Sequence, residues 1–143
     1  MDVSAAFLLK LARTPDKAKR IRLLAVCVKV GRPWVEELLW EALADPSEGV
    51  RTFAAKEILR LPAVRLELAQ KRLRLPPWYA RSSVLSIIGA RRIAGAVPEV
   101  VRAAGDANVD VRRAAAEALG EIGGEEAVRG LVGLRPRRQV RDH

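Results

Sequence analysis

Four arginines give the sequence its first chemical signal. Arg20, Arg51, Arg81 and Arg112 recur at intervals of 31, 30 and 31 residues, each behind a turn carrying Pro, Asp or Asn and ahead of an apolar run at helical spacing. Guanidinium groups at so regular a spacing fit two chemistries. They can form a ladder for phosphates, or each can bond a carboxylate in a turn and satisfy charge between neighbouring units. Asp45 and Asp106 stand six residues before Arg51 and Arg112, so the carboxylate reading is expected there, each arginine with the Asp of its own turn. Thr14 and Leu75 hold that place before Arg20 and Arg81. These two lack such an Asp and are more open to a binding role.

The other reactive side chains assemble no catalytic set. The single histidine is the last residue, His143, and the single cysteine, Cys27, lies inside the apolar run LLAVCVKV. One Cys and one His do not make a zinc site, and a Ser or Cys nucleophile would lack a histidine base. No phosphate-binding glycine loop is present; Gly120, Gly123 and Gly124 read as glycines that end a helix. Cys27 reads as a reduced core thiol in a cytoplasmic protein. Glu36, Glu37, Glu41, Glu125 and Glu126 are expected on solvated helix faces. No enzymatic activity, metal or cofactor is expected.

The elements that position the arginines must be helices. The apolar half of the composition is mostly Ala, Leu and Val, aromatics are only 4%, and Ala, Leu, Arg and Glu are strong helix formers. Charged residues break every apolar run well short of the ~20 residues of a spanning helix, and the N-terminus lacks the basic start of a signal peptide. The segments TPDKAKRIRLLAVCV (14–28), DPSEGVRTFAAKEIL (45–59), LPPWYARSSVLSIIG (75–89) and DANVDVRRAAAEALG (106–120) align without gaps around the arginines. Between them lie further helical stretches, opened by Pro33 and Pro62 or spanning 95–105 and 125–134, with VSAAFLLKLAR in the same place near the start. No helix of such a pair can bury its apolar stripe alone, so stacked units must supply the contacts. The spacing predicts a right-handed α-solenoid of about four and a half helical hairpins over 1–134. Its units run 1–31, 32–61, 62–92, 93–123 and, in part, 124–143, and residues 135–143 form a basic, flexible tail.

The stretch DANVDVRRAAAEALGEIGGEEAV resembles the short HEAT repeats of the bilin-lyase-like class. There an Asp six residues before an Arg, an Ala-rich helix and Leu-Gly-x-Ile-Gly recur. Asp106, Val111, Arg112, Ala115, Leu119, Gly120, Ile122 and Gly123 carry the likeness, as do Asp45, Val50, Arg51, Ala54, Ala55 and Ile58. The third unit keeps Arg81, Ile88 and Gly89, and the first keeps Arg20. The resemblance implies a helical solenoid that works by binding. More narrowly, it implies a lyase or chaperone subunit for an open-chain tetrapyrrole. Near the end, Val140-Arg141 is similar to the Val-Arg of the Arg-bearing helices but is followed by no helix. A fragment, an open end and a capped end all fit.

The leading functional expectation is a protein-binding scaffold whose concave face is lined by the Arg-bearing helices, with Thr52, Lys56, Arg60, Ser82, Ser86, Arg113 and Glu117 making the contacts. Charge suggests an alternative. The net balance is +9 over residues 1–93, −3 over 94–134 and +3 over 135–143. Arg13, Lys17, Lys19, Arg22, Lys29 and Arg60, assisted by Arg137, Arg138 and Arg141, could bind the phosphate backbone of a nucleic acid. Equivalent helix positions do not form a continuous basic stripe, however. The opposed charge of the two parts also suggests head-to-tail self-association through the last unit. Trp40 is expected in the core, while Trp34 and Trp78 are left open between packing and aromatic anchoring of a partner.

Overall fold

The computed structural model describes residues 14–133. Among them the helices are α1 (Lys17–Val30), α2 (Val35–Ala42), α3 (Glu48–Arg60), α4 (Leu66–Leu73), α5 (Trp78–Ala90), α6 (Val97–Ala103), α7 (Val109–Ile122) and α8 (Gly124–Gly133), with a 3₁₀ turn at Ala94–Ala96; no strand occurs among the described residues. The longer helices α1, α3, α5 and α7 carry the four arginines. They stack on one another in series, as α2 does on α4 and α6 on α8, while α4 meets the 3₁₀ turn ahead of α6. The result is the expected all-α solenoid of helical hairpins. The helix expected over 3–13 and the tail at 135–143 lie outside the described residues.

Local chemistry sets the helix limits. Asp16 starts α1 by accepting the Ala18 N–H at 2.8 Å, and Gly31 ends it in the left-handed region at φ 68°. Asn108 starts α7 by accepting the N–H groups of Asp110 and Val111. α4 begins at Leu66 rather than just after Pro62. The cause lies on α2, where the Glu36 carboxylate accepts the backbone N–H of Arg65 at 2.8 Å and holds that residue extended. The glycine expectation needs a correction. Gly123 ends α7 at φ 66°, but Gly120 lies within α7 and Gly124 opens α8, because the apolar pattern of α7 continues to Ile122.

One continuous core runs through the stack. Leu24 and Cys27 of α1, Leu38, Leu39 and Trp40 of α2, Val50, Ala54 and Ile58 of α3, Val84, Leu85 and Ile88 of α5, and Val111, Ala115 and Leu119 of α7 are all buried. Each large aliphatic side chain removed from water in this way contributes about 1.5–3 kcal/mol before the entropy of ordering is counted. Trp40 is in the core, as expected, with its indole N–H donated to Glu36 at 3.0 Å. Cys27 is fully buried, and burial pushes its thiol above the usual range, against a weaker opposing backbone hydrogen bond. α5 and α7 pack tightly at Gly89. A Cβ added at Gly89 would stand 2.9 Å from the Ala118 Cα and collide with the Glu121 carboxylate.

Candidate functional site

The arginine row is wired forward. Arg20 holds the Asp45 carboxylate with two bonds, Nε to Oδ2 and Nη2 to Oδ1, both 3.0 Å. Arg81 holds Asp106 in the same way at 3.0 and 3.2 Å. Each also takes part in a largely buried pair, with side-chain exposures of 12% and 13% in the first and 22% and 17% in the second. The expected pairing is therefore reversed. Arg51 and Arg112, the two with an Asp in their own turn, donate instead to the backbone carbonyls of Asp45 and Asp106, at 2.7 and 2.8 Å. Arg20 and Arg81, which had no Asp of their own, are the two that grip a carboxylate.

The reason lies in the turn. The Asp45 carboxylate accepts the Ser47 N–H at 2.8 Å, and that of Asp106 accepts the Asn108 N–H at 2.9 Å. Each carboxylate is fixed as part of the turn and bonded by the arginine of the preceding unit, while the arginine that follows it bonds the backbone of that turn instead. Burial alone would raise the Asp106 carboxyl. The Asn108 N–H and the Arg81 guanidinium, with Arg112 nearby, more than offset this and hold it below the usual carboxylate range. Leu75 stands where Arg51 would find its forward carboxylate, and Tyr79 takes over. The Arg51 guanidinium lies over the Tyr79 ring, 4.4 Å from its centroid, and the Tyr79 hydroxyl donates to the Ala44 carbonyl at 3.4 Å.

Further inter-unit bonds were not legible in the repeat pattern. Glu36 is not on a solvated face: its side chain is 11% exposed and joins Trp40 to Arg65, whose guanidinium also donates to the Pro33 carbonyl at 2.9 Å. Glu37 is half-exposed, and Glu41, Glu125 and Glu126 are exposed, as expected. Gln70 of α4 donates to Glu99 of α6 at 3.0 Å. Arg91, just past α5, reaches back over the end of α3, with Nη1 2.7 Å from the Leu61 carbonyl and 3.1 Å from that of Leu59. Arg72 is buried and donates to the Pro76 carbonyl at 2.6 Å; burial, partly offset by Glu41, lowers its guanidinium from the usual value.

The scaffold candidates occupy three successive Arg-bearing helices. Thr52, Lys56 and Arg60 on α3, Ser86 on α5, and Arg113 and Glu117 on α7 are exposed, while Ser82 is half-buried. Ser86 and Glu117 meet in a hollow of about 500 Å³ between α5 and α7, with Ala114, Gly120 and Glu121 completing its wall. Lys17, Lys19, Arg22 and Lys29 are exposed on α1, a different helix from Arg60. Arg13, Arg137, Arg138 and Arg141 lie outside the described residues. The two open tryptophans part company: Trp34 packs against the core, whereas Trp78 is 43% exposed and sets its ring edge-on to Tyr79. Among the described residues no cluster of His, Cys, Asp and Glu could hold a metal ion, and no helix is long and apolar enough to cross a membrane.

Stacked helical hairpins joined by an arginine–aspartate register define the class of this protein as a helical-repeat solenoid. The chain belongs to the HEAT-repeat family: the family model for HEAT repeats matches residues 65–142. The match takes in the units built on Arg81 and Arg112. A comparison with curated proteins finds no match.

Proposed function

We propose that this protein is a non-catalytic scaffold that holds a partner protein along the exposed face of its Arg-bearing helices. HEAT repeats generally serve as protein-interaction scaffolds. The observation that carries the reading is a division of labour among polar side chains. The ladder arginines are spent on carboxylates, carbonyls and an aromatic ring, whereas Lys56, Ser86, Arg113 and Glu117 remain exposed on successive Arg-bearing helices and tie no two units together. The test is affinity capture from a cell lysate with the wild-type chain and with a Lys56→Glu, Ser86→Arg, Glu117→Lys variant. A partner retained by the first and lost by the second, with unchanged thermal midpoints, supports the reading. Equal capture by both, or none by either, overturns it.

A second reading, binding of a nucleic-acid backbone, is favoured by one feature: Lys17, Lys19, Arg22 and Lys29 are exposed together on α1. It requires affinity for mixed-sequence DNA or RNA that falls steeply with salt, because binding releases counterions. Salt-insensitive binding, or none at low salt, removes it. The narrower likeness to bilin-lyase repeats adds one cheap check, visible absorbance after mixing with an open-chain tetrapyrrole.

A further inference from the structure

We propose that the hollow between the C-terminal ends of α4 and α6 receives a phosphorylated serine or threonine side chain of a partner protein. The inference rests on the scaffold reading and adds a chemical mark that the partner must carry. The hollow holds about 280 Å³, and Arg74, Pro76, Arg81, Glu99, Arg102 and Asp106 stand on its wall. Here the repeat departs from its own pattern. In the other three units the arginine bonds its own turn through Nη1: Arg20 the carbonyls of Thr14 and Pro15, Arg51 that of Asp45, and Arg112 those of Asp106 and Ala107. Arg81 gives Nε and Nη2 to Asp106, but among the described residues its Nη1 finds no carbonyl. The Pro76 carbonyl is already taken by Arg72 at 2.6 Å. One edge of the Arg81 guanidinium is left open on the wall of the hollow.

Two more guanidiniums share that wall. Arg74 and Arg102 are exposed and bond no other described residue. Arg74 follows α4 and Arg102 lies in the last turn of α6, where the helix dipole favours a cation; that accounts for their position and leaves their donors open. The carboxylates are engaged: Glu99 accepts from Gln70, and Asp106 from Arg81 and the Asn108 N–H. Three arginines against two carboxylates leave the wall one charge positive, and Arg72 adds another. Arg72 is buried with its Nε unpartnered; burial lowers its guanidinium, Glu41 opposes this, and the charge of Arg81 adds to it. A phosphate monoester carries close to two negative charges and three acceptor oxygens, matching both the charge and the three open donor groups, whereas a carboxylate offers half the charge. The arrangement is a point and not a track. One seam earlier the equivalent positions are Ala44 and Lys71, and at the first seam Glu41 stands where Arg102 would be. A nucleic-acid backbone, with single charges spaced along its length, calls for a row of such sites.

The test uses the whole chain labelled with nitrogen-15 and the probe Nα-acetyl-phosphoserine amide. Nα-acetyl-glutamate amide and dimethyl phosphate serve as controls at equal ionic strength. Saturable shifts of the Nε–H signals of Arg74, Arg81 and Arg102 are expected with the phosphoserine probe at neutral pH. Both controls should bind at least roughly tenfold more weakly. Binding should also weaken about tenfold between pH 7 and pH 5, as the phosphate loses its second charge near its pKa of about 6. Arg74→Ala combined with Arg102→Glu, which restores residues of the earlier seams, should abolish the response with an unchanged thermal midpoint. If that variant fails to fold, Arg102→Gln alone should still weaken binding severalfold. Absence of saturable shifts in the wild type overturns the proposal, as does an equal response to glutamate or an undiminished response in the variants. Dimethyl phosphate binding as tightly as phosphoserine would overturn it in favour of a nucleic-acid backbone. The probe needs no partner protein, so its outcome is separate from the lysate capture that tests the scaffold face.

Discussion

Asp106 orders its own turn through the Asn108 N–H and anchors Arg81 of the preceding unit. Its carboxyl titrates lower in the folded chain than in the unfolded one, so folding favours the ionised form. That contribution is complete above the unfolded value of about 4 and is lost as pH falls through the lower folded value. Asp106→Asn keeps the turn acceptor but removes the charge. It is expected to cost about 1.5–3 kcal/mol at neutral pH, typical of a charged hydrogen bond. Urea unfolding followed from pH 7 to pH 2 should show a shallower acid decline for the variant than for the wild type. A second residue-scale prediction concerns Tyr79. Tyr79→Phe keeps the ring under Arg51 and is expected to change stability by no more than about 0.5 kcal/mol, whereas Tyr79→Ala should lose at least the ~0.5–2 kcal/mol of the cation–π contact. Leu75→Asp added to Tyr79→Ala should recover part of the loss, since position 75 is where Arg51 would find a forward carboxylate; calorimetry of the three variants checks this. The sequence displayed the arginines and aspartates plainly but not their partners. An Asp six residues away is nearer in sequence than one twenty-five away, and only the turn geometry reveals that the nearer carboxylate points elsewhere.

At the scale of the helix, Gly89 and Gly120 occupy equivalent positions thirty-one residues apart and make opposite predictions. Alanine normally gains about 0.8–1 kcal/mol over glycine inside a helix. At Gly120 nothing lies within 4 Å of the added Cβ, so Gly120→Ala should collect that gain. At Gly89 the methyl group would press on the Ala118 backbone and force α5 away from α7. Gly89→Ala is therefore expected to lose about 1–3 kcal/mol, the usual range for overpacking. Chemical denaturation of the two variants side by side measures both signs in one scaffold. The helices themselves were legible, because apolar periodicity, Pro and turn residues act locally. What was not legible depends on contacts across units. Gly120 looked like a helix end because nothing in its neighbours distinguishes a cap from an interior glycine. α4 starts later than Pro62 suggests because a carboxylate from α2 captures the N–H of Arg65.

For the molecule as a whole, period and composition were enough to read an α-solenoid, since a near-constant thirty-residue step in which neither helix can bury its own stripe leaves few other solutions. The candidate surface was legible only as a set of equivalent positions; burial separates Ser82 from Ser86, and Trp34 from Trp78, by neighbours that periodicity does not name. The forward pairing has a consequence for how such a chain can change length. Arg20 and Asp45, like Arg81 and Asp106, are twenty-five residues apart. Excising residues 62–91 and joining Leu61 to Arg92 would set Arg51 twenty-five residues before Asp106, giving it the carboxylate it now lacks. The shortened chain is expected to fold cooperatively with its helical circular dichroism reduced in proportion, whereas an excision five residues longer or shorter should not. A gene encoding such units can gain or lose one whole without rewriting the seam, so the array behaves as an interchangeable set whose reading frame is kept by charge.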